Sequence, residues 1–538
     1  MNEDRLRKWI LGISIFVLLV LWVRFPRAHV IYSDAQQKLY ASYSLVVKHF
    51  TSESNIYHGQ DFDPDGRFKH LPDTVELEDG RTVSAFPLAF SVLATPFVMI
   101  DQHFDHGLEY VSLLNLIPLL IIWWLLFKLK LHPVILASAY WANFLWLQVY
   151  EFSEILLAAL FAFVGYLLFV KNWPKREEVS SRVFIFAGLI SGVAIFFRAE
   201  AAVFYAAFTA MAVVISFLKQ TNKTQIGSGV LASFWFGIGF VFTVIAWLAW
   251  NVFDYGHFLG PRYVINQGGI LPGFSEIFSR YVSLLIGLLP SQGLSFGLFL
   301  YIPLLFFAML APVFGIFEKW KGDHFTEILT WTTILAYLLL VPFIVPNDGY
   351  GIGPRYLIYA VLPGYVLIDR LVKQFQRRWI SVAALLVSLL SFSIPVFMHK
   401  ARIYTQKHAR SVYLEMIQAD ADIWIFTPLG TDTYAGLLTI RHENYAIGSD
   451  DDLLELLSKL RPARPHKSIA ITSTSEAKLK QAEDVLGPRS KDSLPDRQLL
   501  DSIRSSHRDV GRIQKVYPDL QIIYGKEIDV LLIPNHLP

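Results

Sequence analysis

The chain has 538 residues, of which 54% are hydrophobic and 15% aromatic, with a mean hydropathy of +0.42, too apolar for a soluble globule of this length. Its 47 basic and 45 acidic side chains leave a formal charge of only +2, which gives no pull toward nucleic acid. Cysteine is absent, so disulfides, thiolate metal sites and cysteine nucleophiles are excluded.

The pattern is that of a polytopic α-helical membrane protein. MNEDRLRK is followed by an apolar run from Trp9 to Phe25 that lacks a small-residue cleavage site, which predicts an uncleaved first helix. Next comes SDAQQKLYASYSLVVKHF, with Leu39, Tyr43, Val46 and Phe50 at helical spacing. This predicts an amphipathic helix at the membrane interface, with Ser33 and Gln36 as its capping box. Asp34 falls in the first turn, where the helix dipole favours its ionised form. It is then either a general base or only a stabiliser of the helix start. DFDPDG at 61–66 opens like a calcium loop but has Pro72 at the twelfth position, so it reads as a polar turn. DQHFDH at 101–106 has no helical histidine pair and reads as a solvated loop.

Spans are expected at 9–25, 108–127, 132–149, 154–170, 183–197, 201–217, 228–250, 295–317, 326–345, 356–370 and 379–397. The segment 84–100, with Pro87 and Pro96, is expected to be re-entrant or interfacial, and 278–294, with Pro290 and Gly293, is expected not to span. About eleven transmembrane helices result, or thirteen if both broken segments cross. With eleven, the basic loops at the N-terminus, 128–132, 171–182, 219–223, 318–324 and 370–378 all lie inside. The apolar run 183–218 would be about 54 Å of helix, so it must be a hairpin. Its turn, Arg198-Ala199-Glu200, then faces outward, as do Asp34, Tyr150, Glu151, Glu154, Asn251, Asp254, Arg262, Asp348, Tyr350 and Arg355. Acids and arginines gathered from several span ends suit a site that handles an anion and a proton.

From Met398 onward the pattern changes. Strand-like IWIFTP, TYAGLLTI, KSIAITST and QIIYGKEIDVLLIP alternate with helix-like DDLLELLSKL and SEAKLKQAEDVLG, the latter with Ser473 and Glu476 as its cap. This predicts a transmembrane domain at 1–398, carrying a first outer loop at 26–107, and a small extramembrane α/β domain at 399–538. The small domain either holds an acceptor, covers the membrane site, or only caps the fold.

Six stretches carry a family resemblance: SDAQQKLYASYSLV, DGRTVSAFPLAFSVLATPF, FSEILLAALFAFVGYLL, GLISGVAIFFRAEAAVF, LPSQGLSFGLFLYIPLLFFAMLA and GYGIGPRYLIYAVLP. In order and spacing they resemble the polyprenyl-phosphate-sugar-dependent glycosyltransferases of the GT-C fold, the group of protein O-mannosyltransferases and lipid A aminoarabinose transferases. The resemblance implies a GT-C-like membrane glycosyltransferase that moves a sugar from a polyprenyl-phosphate donor to a lipid, glycan or protein acceptor on the outer face. It places Asp34 at the catalytic centre, as general base. Arg198, Arg262 and Arg355 become candidates for the donor phosphate, unless they snorkel to lipid headgroups. Glu154, Glu200, Tyr350 and Tyr356 become candidates for positioning the acceptor; the two glutamates serve equally as ion-pair partners and the two tyrosines as interfacial belt residues.

Two departures stand out: Ala199 replaces the proline common between the hairpin charges, and Ala35 replaces a second acid after Asp34. The second weakens a metal-binding centre in the first loop and leaves a divalent cation open. The resemblance further implies a bacterial inner-membrane protein with a cytoplasmic N-terminus, a periplasmic C-terminal domain and membrane lipids as partners. The rival reading is a transporter or lipid-handling protein, but no internal repeat is visible and the charges sit at one membrane edge.

Overall fold

The computed structural model describes residues 2–25, 33–69, 74–103, 110–219, 223–261, 273–287, 296–312, 324–345, 353–375, 378–427, 438, 442–488, 490, 494–525 and 528–535. They divide into two units. One comprises Met1–Phe25, Pro87–Phe90 and Ser112–Ala401; the other comprises Pro26–Phe86, Ser91–Val111 and Arg402–Pro538. Apart from Pro87–Phe90, the first outer loop thus groups with the C-terminal part of the chain, a division that chain order does not show. The expected boundary at 398 falls inside one continuous helix, Arg378–Met416.

Among the described residues six helices are long and apolar enough to cross a membrane: Glu3–Arg24, Ile155–Lys175, Ala201–Leu218, Ile226–Tyr255, Phe325–Ile344 and Trp379–Ala419. Each lies on an expected span, and the protein is an integral membrane protein. Expected spans 108–127 and 183–197 appear as the shorter apolar helices Leu113–Lys128 and Ser181–Phe196. The segment 132–149 is not one helix. It stops after Pro133–Trp141 and resumes as a 3-10 turn at Trp146–Tyr150. The cause is Asn143, whose amide donates to the Ala139 carbonyl and accepts from the Leu145 N–H, replacing ladder bonds with side-chain ones. Within 295–317 the helix likewise breaks at Ile302, because Pro303 has no N–H to continue it. Helix Leu88–His103 spans about 24 Å, less than a bilayer core.

Tight packing in the first unit comes from glycine. Helix Ser181–Val193 lies against Lys223–Tyr255 through Gly188 and Gly192, four residues apart. A Cβ on Gly188 would collide with the Phe236 carbonyl oxygen, and one on Gly239 with that of Ile185. Small residues at this spacing let backbones touch, the source of helix association where lipid removes the hydrophobic drive. The same unit gathers several expected inner loops at one end. Arg7 Nε donates to the Leu131 carbonyl at 2.8 Å, and Lys373 Nζ to that of Lys130 at 2.9 Å. Asp369 accepts from the His132 N–H at 2.5 Å.

The second unit carries an antiparallel pair, β1 Thr74–Glu76 with β2 Thr82–Ser84, and a five-stranded sheet in the order β4-β3-β5-β7-β6, with β3 Ile423–Phe426, β4 Glu443–Ala446, β5 Ile469–Thr474, β6 Gln521–Ile523 and β7 Ile528–Ile533. Strands β4, β3 and β5 are parallel; β7 runs antiparallel to both β5 and β6. The helix Asp450–Ala463 covers it with Leu453, Leu456, Leu457 and Leu460, an i, i+3, i+4, i+7 stripe that is wholly buried. TYAGLLTI lies outside the described residues except Leu438, and Glu443–Ala446 is a strand that the sequence reading did not name. Two expectations change here. Helix Glu476–Leu486 is capped by Ser475, which accepts from the Lys478 N–H, whereas Ser473 lies within β5 and accepts from the Arg508 N–H. The helix Ser33–Val47 is not a half-exposed interface helix: Gln36 through Ser42 are all buried, while Phe50 is 58% exposed.

Residues 57–68 of the first loop are strapped onto this sheet. Phe68 sits in its core at 1% exposure and accepts from the Ala446 N–H. Arg67 pairs with Asp452 and Glu455, while Arg464 pairs with Asp61 and Glu443. The DFDPDG acids are turn residues: Asp63 accepts from Tyr57 Oη and the Phe68 N–H, and Arg464 holds the Asp61 carboxyl below the usual carboxylate range.

Gly188→Val is expected to destabilise the chain by about 1–3 kcal/mol, since the added side chain meets backbone rather than a side chain able to move. Gly227→Ala, at an open helical position, should instead stabilise by up to about 1 kcal/mol. Unfolding midpoints of the detergent-solubilised variants measure both.

Candidate active site

The hairpin expected at 183–218 turns at Arg198-Ala199-Glu200, between Ser181–Phe196 and Ala201–Lys219. Arg198 is 5% exposed. The Arg198 N–H donates to the Ala194 carbonyl, and the Arg198 carbonyl accepts from the Ala201 N–H, so the turn is bonded on both sides. Its guanidinium holds two carboxylates at once: Nη1 lies 3.1 Å from Glu154 Oε1, and Nη2 lies 3.0 Å from Glu200 Oε1. Glu154 stands at the N-cap of Ile155–Asn172, where no side-chain cap bond is made because its carboxylate faces the arginine instead. A guanidinium buried among apolar helices is tolerated only when paired this way, since a single charge would carry its whole desolvation cost.

Arg355 enters from the other side of the sequence. Gly353 adopts φ +72, a left-handed conformation, and a Cβ there would come within 2.5 Å of the Phe144 ring. The Arg355 N–H donates back to the Gly353 carbonyl at 2.8 Å, and a 3-10 turn Arg355–Leu357 leads into the helix Ile358–Phe375. The guanidiniums of Arg198 and Arg355 both lie over the Tyr356 ring, 5.1 and 5.6 Å from its centroid. Cation–π attraction therefore brings two positive charges to one buried ring.

Four of the residues expected from sequence in this unit are thus brought together with Arg198 at the centre: Glu154, Glu200, Arg355 and Tyr356. Arg262 and Tyr350 lie outside the described residues. Asp34 is the second residue of the helix Ser33–Val47 in the other unit, and its side chain lies outside the described residues. Asn251, expected among the outer polar residues, closes a local turn by donating to the Phe258 carbonyl. Among the described residues no group of three acids or histidines could hold a metal ion.

Two contributors escape a sequence reading. Tyr359 Oη donates to the Arg198 carbonyl at 3.4 Å, and Tyr337 Oη donates to the Tyr356 carbonyl. Both are buried, and their rings lie 6.0 Å apart. Tyr359 sits one helical turn past Arg355, which is the only sequence signal for it; Tyr337 lies inside an apolar span with no signal at all. One donor of Arg198, Nε, is buried without a partner among the described residues.

No family model matches the chain, and no curated protein matches it. Among solved structures, ArnT from Cupriavidus metallidurans in the apo state aligns over 98% of this chain and 99% of its own, with a TM-score of 0.54 at 10% identity. The same protein bound to undecaprenyl phosphate aligns over 98% and 99%, at 0.49 and 11% identity. The apo oligosaccharyltransferase of Archaeoglobus fulgidus aligns over 96% of this chain and 73% of its own, at 0.49 and 12% identity. The first of these likenesses shows that the chain is similar to a GT-C enzyme in fold, from end to end.

Arg198→Ala should destabilise the protein by about 3–5 kcal/mol, because it strands the buried Glu154 carboxylate and removes the partner of half-buried Glu200, whereas Glu154→Gln keeps an acceptor and should cost about 1 kcal/mol. Denaturation midpoints of the two variants in one detergent compare them directly.

Proposed function

We propose that this protein is a membrane glycosyltransferase that moves a sugar from a polyprenyl-phosphate donor to a lipid, glycan or protein acceptor. The observation that supports the reading most directly is the cluster of buried Arg198 and Glu154 with half-buried Glu200 and Arg355 at helix ends, on a chain whose fold is similar to that of ArnT throughout. ArnT has been solved with undecaprenyl phosphate bound, and the archaeal oligosaccharyltransferase AglB with a dolichol-phosphate and a peptide. A lipid-linked phosphate donor is the corresponding substrate class here.

The reaction breaks the bond between the anomeric carbon and the phosphate oxygen. The acceptor oxygen or nitrogen attacks that carbon, its proton passes to the Asp34 carboxylate, and the electron pair of the broken bond stays on the lipid phosphate. Arginine's planar fork suits the charge left behind. Arg355 and Arg198 are the candidate phosphate ligands among the described residues, and Glu154 and Glu200, bonded to the two Nη groups of Arg198, hold that side chain in place until the donor arrives. A phosphate that displaced one carboxylate would reach Arg198 as well. Arg262 and Tyr350 stay as further candidates on the same grounds as before, and Tyr356 fixes the spacing of the two arginines. The full reading includes eleven spans, a cytoplasmic N-terminus, a C-terminal domain in the periplasm, and residence in a bacterial inner membrane.

The test is transfer of a labelled sugar from a polyprenyl-phosphate donor in membranes. Asp34→Asn and Arg355→Ala should each lower the rate at least about 100-fold at normal expression, the scale of a lost general base or of one lost charge-stabilising donor. Full activity in both variants would remove the proposed centre.

A further inference from the structure

The helix Ser33–Val47 is polar where it is most buried. Gln36, Gln37 and Lys38 are 2%, 0% and 3% exposed. Neither amide atom of Gln37 has a partner among the described residues, and neither does Gln36 Oε1. The Lys38 ammonium lies 4.9 Å over the Phe86 ring, and the Lys38 carbonyl accepts from Ser91 Oγ and Ser42 Oγ, which ties this turn to the start of the segment 91–103. An amide buried without a partner costs about 1–3 kcal/mol, and a leucine would fill the same volume without that cost. The two consecutive amides Gln36 and Gln37, one turn after Asp34, are therefore poor core residues. Amides, which offer both donors and acceptors, match the paired donor and acceptor character of sugar hydroxyls.

We propose that the Gln36–Lys38 turn is a recognition surface for the hydroxyl groups of a glycosyl phosphate, with Gln37 as the residue that distinguishes a sugar-bearing lipid phosphate from the bare one. This deepens the donor reading above and rests on it. Gln37 is a specificity-determining residue: its amide bonds replace, in the bound state, those that are missing without ligand. Lys38 adds a positive charge to the same turn. Ser44, whose hydroxyl is also buried without a partner among the described residues, lies two turns further on and takes no part.

The experiment measures binding and stability on the full chain in detergent, with two probes, undecaprenyl-phosphoryl glucose and undecaprenyl phosphate. Gln37→Leu is expected to raise the thermal midpoint by about 2–4 °C, since an orphaned amide is removed. It should weaken binding of the glucosylated lipid at least about tenfold. Affinity for undecaprenyl phosphate should stay within about twofold, because the phosphate contacts are untouched. Ser44→Ala should show the stability gain with both affinities unchanged. A Gln37→Leu protein that gains stability and keeps its preference for the glucosylated lipid overturns the proposal, and so does one whose midpoint falls, since the amide then has a structural role. Wild-type protein that binds neither lipid would instead overturn the donor reading from which the proposal starts.

Discussion

A guanidinium held away from water must find its counter-charges inside the protein, and Arg198 finds two. Glu154 comes from the start of one helix and Glu200 from the turn that carries the arginine, so one side chain ties the helix Ile155–Asn172 to the hairpin that carries Arg198. The cost of burying these groups is offset only while all three keep their places. That constraint explains the bracing around them, in which two tyrosine hydroxyls hold the carbonyls of Arg198 and Tyr356. It also explains why Arg355 needs a left-handed glycine just before it to approach the same ring.

Apolar length alone does not determine how these helices pack. The contact between Ser181–Val193 and Lys223–Tyr255 depends on glycines whose missing Cβ atoms let carbonyl oxygens of the partner approach. Such contacts place the hairpin that carries Arg198. The polar cluster and the glycine interface are thus two parts of one device: the glycines fix the helices, and the helices fix the charges.

In the second unit, segments nearly 400 residues apart form one core. Phe68 is buried among the leucines and isoleucines of the sheet, and Arg464 reaches across to Asp61 while pairing with Glu443. The strand Glu443–Ala446 looks polar in sequence because its acid and amide are held by partners from elsewhere: Arg464 and Lys467 for Glu443, Tyr40 for Asn444. A pattern of alternating hydrophobicity could not reveal it.

The sequence by itself determined what depends on local composition: the membrane class, the helices at the long apolar runs, the hairpin turning at Arg198, the strand Ile423–Phe426, whose side chains are apolar on both faces, and the strand Ile469–Thr474, which opens on an apolar run. It also singled out Glu154, Glu200, Arg355 and Tyr356, because charges and aromatics at the ends of apolar spans are conspicuous. Tertiary structure alone decided which of them meet, that both fork nitrogens of Arg198 are taken by carboxylates, and that Tyr337 and Tyr359 brace the site. It also decided that the turn after Asp34 is buried rather than interfacial. The physical reason is that pairing, burial and bracing are properties of contacts between distant segments, and periodicity within one segment carries no information about its partner.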